Sequence, residues 1–244
     1  EVNELGMAFY SLSPSSWALA VKGIHELVNW QRVDGVLSSP VPAFNYSAEL
    51  PSQMLAALGW YGFHAQYFYS GDDSFVPVVY DRMKKYLHEV WRLDENGIPV
   101  YRTGDWDWPD ADSPVDQLAL MPCLYYLALK GELEFARLLG KTGDVAMISS
   151  VMERLKDSYN RLYWTGEGYR SPSYRDRTDD RPQAMAVLAG IASEDKYPAI
   201  ARVLKTTDMA STYMEKYMVG SLGVVGEPSA ARDRMKGRMA TVMD

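Results

Sequence analysis

The sequence predicts an all-α protein built from antiparallel helical hairpins, and three observations favour that fold class. Apolar residues recur at helical spacing through most of the 244-residue chain. Two junctions between such segments carry a Gly-Asp pair. No segment shows the strict alternation of apolar and polar residues that is typical of a half-buried strand. Short extended pieces are expected only within 97–102 and 168–174.

The helical period is clearest near the start of the chain. Within 15–30, positions 17, 20, 21, 24, 27 and 28 are apolar, and Ser15 or Ser16 is the expected N-cap. The next segment, 52–69, is apolar nearly all round and predicts one buried helix. Further helices are predicted at 74–91, 117–140, 144–164, 181–192, 197–205, 211–225 and 228–243.

The two Gly-Asp junctions lie within 69–75 and 140–146. Glycine accepts the left-handed conformation that ends many helices, and aspartate accepts hydrogen bonds from the first N–H groups of a helix. Each junction therefore predicts a tight turn between two antiparallel helices, with the aspartate as N-cap of the second helix.

Charge and composition restrict the class of partner. The chain has 25 basic and 32 acidic residues, a formal net charge of −7, which disfavours a nucleic-acid or anionic-membrane surface and fits a neutral partner such as a sugar. No apolar run reaches membrane-spanning length, and the first residues lack the pattern of a signal peptide. The single Cys123 stands among apolar residues and predicts a buried thiol. The oligomeric state and the compartment are left open.

The sequence lacks the residue patterns that several common kinds of active site require. The histidines His25, His64 and His88 are scattered, and there is no phosphate-binding glycine loop and no nucleophile elbow. We therefore expect neither a metal site nor a cofactor. His64, in an apolar segment, is expected to be a packed core or rim residue rather than a ligand.

Aromatic rings and carboxylates remain, and they are concentrated in RTGDWDWPDAD at 102–112. A flat ring packs on the apolar face of a sugar, and carboxylates accept hydrogen bonds from its hydroxyls. Asp105, Trp106, Trp108 and Asp110 are therefore candidate sugar contacts. The alternative is that both rings anchor a long loop on the core and that the aspartates are solvated.

A second cluster precedes the helix predicted at 181–192. Asp179, Asp180 and Arg181 are candidate substrate contacts. In the structural alternative, Thr178 or Asp179 caps the helix and Arg181 pairs locally. That alternative accounts for one of the three charges.

Three polar residues in apolar surroundings complete the candidates. Glu49 and Gln53 flank the start of the helix predicted at 52–69, with a solvated Glu49 and a capping Ser52 as the alternative. Glu215 stands inside a semi-apolar helix, where a surface contact with Lys216 is the alternative.

Four ordered blocks, ELPSQMLAALGWYGF, GDWDWPDAD, YRSPSYRDRTDDRPQAMAVLAG and STYMEKYM, resemble the α-L-rhamnosidases of glycoside hydrolase family 78. The resemblance runs across essentially the whole chain. It implies an (α/α)6 toroid of helical hairpins, of which residues 1–244 form a single-domain, incomplete part. It also implies a rhamnose-containing substrate, an aromatic-lined pocket that includes Trp60, and an inverting reaction driven by a general acid and a general base.

The acid and base motifs of that family match no residue of this chain. The resemblance places the acidic, Arg-containing motif of the acid just before Glu1 and the Thr-rich segment of the base just beyond Asp244. No catalytic residue is therefore assigned, and the 244-residue segment alone is expected to be inactive. Two alternatives stay open: another six-hairpin glycosidase, and a non-catalytic helical module that binds carbohydrate or protein.

Overall fold

The computed structural model describes residues 16–43, 48–107, 109–110 and 114–243. Within these ranges the regular structure is helical, and only isolated β-bridges occur. The α-helices are α1 (Ser16–Asn29), α2 (Pro51–Leu58), α3 (Phe63–Ser70), α4 (Val76–Lys85), α5 (Gln117–Leu138), α6 (Thr142–Tyr163), α7 (Asp180–Ala189), α8 (Tyr197–Thr206), α9 (Glu215–Val224) and α10 (Pro228–Met243). A π-helical turn, Tyr86–Val90, extends α4, and a 3-10 turn, Glu194–Lys196, precedes α8.

The predicted helices are confirmed except in one segment. The single helix expected at 52–69 is two helices, α2 and α3, separated at 59–62. A β-carbon on Gly62 would lie 1.9 Å from the carbonyl oxygen of Ala57, so the chain folds back on itself at this glycine more tightly than any side chain permits. Both helices are buried, so apolar residues continue through 59–62. The hydrophobic pattern therefore does not show that the helix ends there.

The first junction has the predicted glycine conformation, the second has it at a different glycine, and neither has the predicted cap. Gly71 adopts a φ of +69°, as helix-ending glycines do. In the second junction the glycine with positive φ is Gly140, at +66°, whereas Gly143 of the Gly-Asp pair lies inside α6. The N-cap of α4 is Phe75, without a side-chain cap, and Asp144 lies in the first turn of α6, where it accepts hydrogen bonds from Tyr80 and Lys84. The prediction of aspartate N-caps was wrong, because these carboxylates bond elsewhere. The cap predicted at Ser15 or Ser16 lies outside the described side chains.

The chain divides into two compact units, residues 1–108 with 125–154 and residues 109–124 with 155–244. In the first unit, α1 packs against α3 and α4, and the core includes Phe75 and Phe135, whose rings meet edge to face. In the second unit, α9 packs against α7 and α10. Cys123 is fully buried there, as predicted. The single-domain organisation stays a prediction.

The break at Gly62 generates a stability prediction. We expect Gly62→Ala to lower the free energy of unfolding by about 1–3 kcal/mol, because its β-carbon would overlap the Ala57 carbonyl. The matched control is Gly237→Ala inside α10, where a β-carbon meets no atom within 4 Å and a gain of about 0.5–1 kcal/mol is expected. Urea unfolding followed by circular dichroism measures both. Equal effects of the two substitutions would contradict the steric explanation.

Candidate functional site

The first group of candidate residues surrounds Glu49 in the first unit. The Glu49 carboxylate is buried, and the Arg102 guanidinium donates to both of its oxygens, from Nη2 at 2.7 and 2.8 Å and from Nε at 3.0 Å. The Glu49 carbonyl accepts the N–H groups of Asp105 and Trp106, and Asp105 Oδ2 accepts the N–H of Glu49. The solvated Glu49 of the alternative interpretation was wrong, because this carboxylate is buried and paired with Arg102.

Asp107 binds the beginning of α2. Its Oδ1 accepts the Ser52 N–H at 3.0 Å and its Oδ2 accepts the Ser52 hydroxyl at 3.1 Å. The predicted cap at Ser52 was wrong: the N-cap position is Leu50, which offers no side-chain acceptor. The Asp107 carboxylate, from a distant loop, accepts this N–H instead and complements the positive end of the helix.

Of the two tryptophans in the 102–112 segment, the structure describes Trp106. Trp106 is 54% exposed, although its backbone is fixed to Glu49. It is therefore not a core anchor. Trp108 lies outside the described residues. Gln53, on α2, is partly buried.

Trp60 is packed against two neighbours within the first unit. The His64 ring stacks on it at a centroid distance of 3.8 Å, and Lys130 Nζ lies over the indole at 4.3 Å. An imidazole and an ammonium therefore occupy much of the ring surface that a sugar would use. His64 is buried, as predicted, and that burial lowers the pKa of its imidazole.

The second group of candidate residues belongs to the second unit and surrounds Arg181, a fully buried arginine. Arg181 donates to Asp179 Oδ1 at 2.8 Å, to Asp110 Oδ2 at 2.9 Å and to the Pro114 carbonyl at 2.8 Å. Asp179 is also the N-cap of α7, as the structural alternative predicted. Asp110 accepts the Ser211 N–H with the same Oδ2. The solvated Asp110 of the alternative interpretation was wrong, since its side chain is only 2% exposed.

Asp116, which the sequence analysis did not select, belongs to the same group. It accepts the N–H groups of Ser171 at 2.8 Å and Ala119 at 3.3 Å, and its own N–H donates to Asp179 at 2.9 Å. Burial raises the pKa of the Asp116 carboxyl, because it outweighs these donated hydrogen bonds. Its position directly before α5 is the N-cap signal that could have identified it.

Asp180 and Glu215 share a second arginine, Arg234 of α10. Arg234 donates to Asp180 Oδ2 at 2.6 Å and to both Glu215 oxygens, and Arg238 lies 3.5 Å from Glu215 Oε2. Glu215 is fully buried, so the predicted surface contact with Lys216 was wrong. Asp180 Oδ1 is buried without a hydrogen-bond partner among the described residues, and burial raises the pKa of this carboxyl despite Arg234.

A surface cavity of about 390 Å³ in the first unit is lined by none of the candidate residues; its walls are Asp34, Val36, Glu89, Val90, Arg92, Val100, Tyr101 and Arg102. Among the described residues there is no group of three or more His, Cys, Asp or Glu side chains arranged to hold a metal ion. None of their helices is long and apolar enough to cross a membrane.

Residues 15–232 match the family model described as the bacterial alpha-L-rhamnosidase 6 hairpin glycosidase domain. Among solved structures, the chain is similar to a rhamnosidase from Klebsiella oxytoca with rhamnose bound, with a TM-score of 0.79 and 16% identity over 93% of this chain and 46% of that one. No curated protein matches the chain.

Two further solved structures are similar. One is an alpha-L-rhamnosidase from Dictyoglumus thermophilum, with a TM-score of 0.71 and 19% identity over 93% of this chain and 27% of that one. The other is a GH78 family rhamnosidase of Bacillus sp. GL1, with a TM-score of 0.76 and 17% identity over 92% of this chain and 25% of that one. These likenesses confirm the predicted fold class. The chain spans less than half the length of each of these three proteins.

The Arg181 group generates a stability prediction. We expect Arg181→Met to lower the free energy of unfolding by about 3–5 kcal/mol, because it leaves the buried carboxylates of Asp110 and Asp179 without their cation. The control is Arg177→Met, which removes an exposed pair with Asp208 and should cost no more than about 1 kcal/mol. Thermal and urea unfolding measure the difference. A cost for Arg181→Met as small as that of the control would contradict the buried network.

Proposed function

The chain belongs to the bacterial α-L-rhamnosidase six-hairpin glycosidase family, and on that basis we propose that the protein carrying it hydrolyses terminal α-L-rhamnosides with inversion. The structural observation that carries this proposal is Trp106. An exposed indole on a backbone that is hydrogen-bonded to Glu49 is a pre-positioned surface for the apolar face of a sugar. Rhamnose, a 6-deoxy sugar, adds a methyl group that such a ring can pack against.

Asp105 is the carboxylate best placed to act with Trp106. It is exposed, and only its Oδ2 has a described hydrogen bond, to the Glu49 N–H. Its Oδ1 can therefore accept a hydrogen bond from a sugar hydroxyl. The sugar-contact roles of Trp108, Asp110, Gln53, Trp60, Asp179, Asp180, Arg181 and Glu215 stay predictions.

We propose no general acid or base within residues 1–244, because the acid and base motifs of family 78 match none of them. Two of the buried carboxylates support this proposal. Glu49 and Glu215 each bond to an arginine through both oxygens, so neither is available to protonate a leaving group or to activate water.

A non-catalytic carbohydrate-binding module is the second candidate. The same commitment of carboxylates to arginines favours it, since an exposed aromatic residue is sufficient to bind a sugar. The two candidates differ in one observable, the turnover of a rhamnoside by the protein that carries the chain.

The first prediction is enzymatic. The protein carrying this chain should release p-nitrophenol from its α-L-rhamnoside, and Trp106→Ala should raise KM by about fivefold or more, the loss expected when ~1 kcal/mol of binding is removed. Trp30→Ala is the control, because Trp30 is 52% exposed on α1 and has no proposed sugar contact. Binding of rhamnose without turnover would support the module, and equal effects of the two substitutions would contradict the role of Trp106.

The second prediction concerns the isolated segment. The 244-residue chain should give no measurable turnover at high protein concentration, because a general acid and a general base each contribute roughly 10²–10⁴-fold to the rate. Folding is checked by circular dichroism in the same sample. Turnover at ordinary enzyme rates would contradict the assignment and would identify an internal carboxylate as catalytic, with the exposed Asp105 tested first.

A further inference from the structure

Glu49 does not have the environment expected of a side chain that binds a sugar. Its two carboxylate oxygens receive three N–H groups of a single guanidinium. Such bidentate, charge-assisted bonds are roughly twice as strong as hydrogen bonds between neutral groups. Both oxygens are therefore engaged by Arg102, and Glu49 itself is buried.

Arg102 is itself anchored to the core of the first unit. Its Nη1 donates to the Val90 carbonyl at 3.2 Å, and its guanidinium lies 5.9 Å from the centroid of the buried Trp91 ring. The pair therefore connects Glu49 to a fixed part of the unit rather than to a mobile surface group.

The backbone of Glu49 holds the segment that bears Trp106. Its carbonyl accepts the N–H groups of Asp105 and Trp106, at 3.1 and 3.3 Å, and its N–H donates to the Asp105 carboxylate at 2.8 Å. Gly104 lets the two segments approach this closely, because a β-carbon there would lie 2.6 Å from the Glu49 carbonyl oxygen. Gly104 also has a φ of +54°, which favours glycine.

From these contacts we propose that Arg102 and Glu49 form a positioning pair. The pair holds the Trp106 ring in the position at which it contacts the sugar, and does not itself contact the sugar. The proposal rests on the proposed function, because it assigns the pair a role through Trp106. A ring displaced by about 1 Å loses much of its contact with a bound ligand, although the residue that moved it lies away from the ligand.

The test uses Arg102→Lys and Arg102→Met in the protein that carries the chain. Lysine keeps the positive charge but loses the planar fork, so both substitutions should raise KM for the p-nitrophenyl rhamnoside, by about fivefold for Met, no more than Trp106→Ala does, and by less for Lys. The kcat should change little, because the pair acts on binding. Arg82→Met, the removal of an exposed arginine on α4, should leave both constants unchanged.

A double-mutant cycle with Trp106→Ala separates positioning from general loss of structure. If Arg102 acts through Trp106, Arg102→Met should add less than twofold to KM once Trp106 is already alanine. Gly104→Ala shifts the same segment without removing a charge, and it should raise KM in the wild-type background and not in the Trp106→Ala background.

The outcomes are distinct. Additive effects of Arg102→Met and Trp106→Ala on KM, or a loss of kcat that matches the loss of melting temperature, would overturn the positioning role while the activity stands. Absence of turnover and of rhamnose binding in the wild-type protein would overturn the proposed function itself. A KM effect confined to the background that contains Trp106 would support the pair.

Discussion

A carboxylate that is buried on folding must be paired with a cation or with hydrogen-bond donors, because an unpaired buried charge is costly. The positions of the loops in this chain depend on such pairs. In the first unit Glu49 is buried with Arg102, and in the second unit Asp110 and Asp179 are buried with Arg181. Each arginine also donates to a loop carbonyl, Val90 or Pro114. The charges therefore pair with each other and, at the same time, fix the backbone through which the loops pass.

Long loops between helices have no strand ladder to hold them, so their backbone groups must bond to side chains or water. Here, side chains from distant loops take that role. Asp107 accepts the Ser52 N–H in the first turn of α2, and Asp116 accepts the Ser171 N–H. The cost of desolvating the charges is offset only while every pair stays complete, so the loss of one partner is expected to be expensive.

The helical period predicted the helices well, because it reflects which face of each helix is buried. It could not reveal the break at Gly62, which depends on a close backbone approach and not on hydrophobicity. The candidate residues were selected as polar groups in apolar or aromatic surroundings, and Glu49 and Glu215 are indeed buried there. Their arginine partners, Arg102 and Arg234, lie 53 and 19 residues away in sequence, a pairing that no local pattern contains.

The most direct test of the account is a crystal structure of the protein that carries this chain, soaked with L-rhamnose. We predict the Trp106 indole within about 4 Å of the sugar carbons, with the Arg102–Glu49 pair intact and away from the ligand. A rhamnose hydrogen-bonded to the Glu49 carboxylate with Arg102 displaced, or bound with Trp106 still in solvent, would contradict the central claim that the exposed ring binds the sugar and the Arg102–Glu49 pair positions the ring.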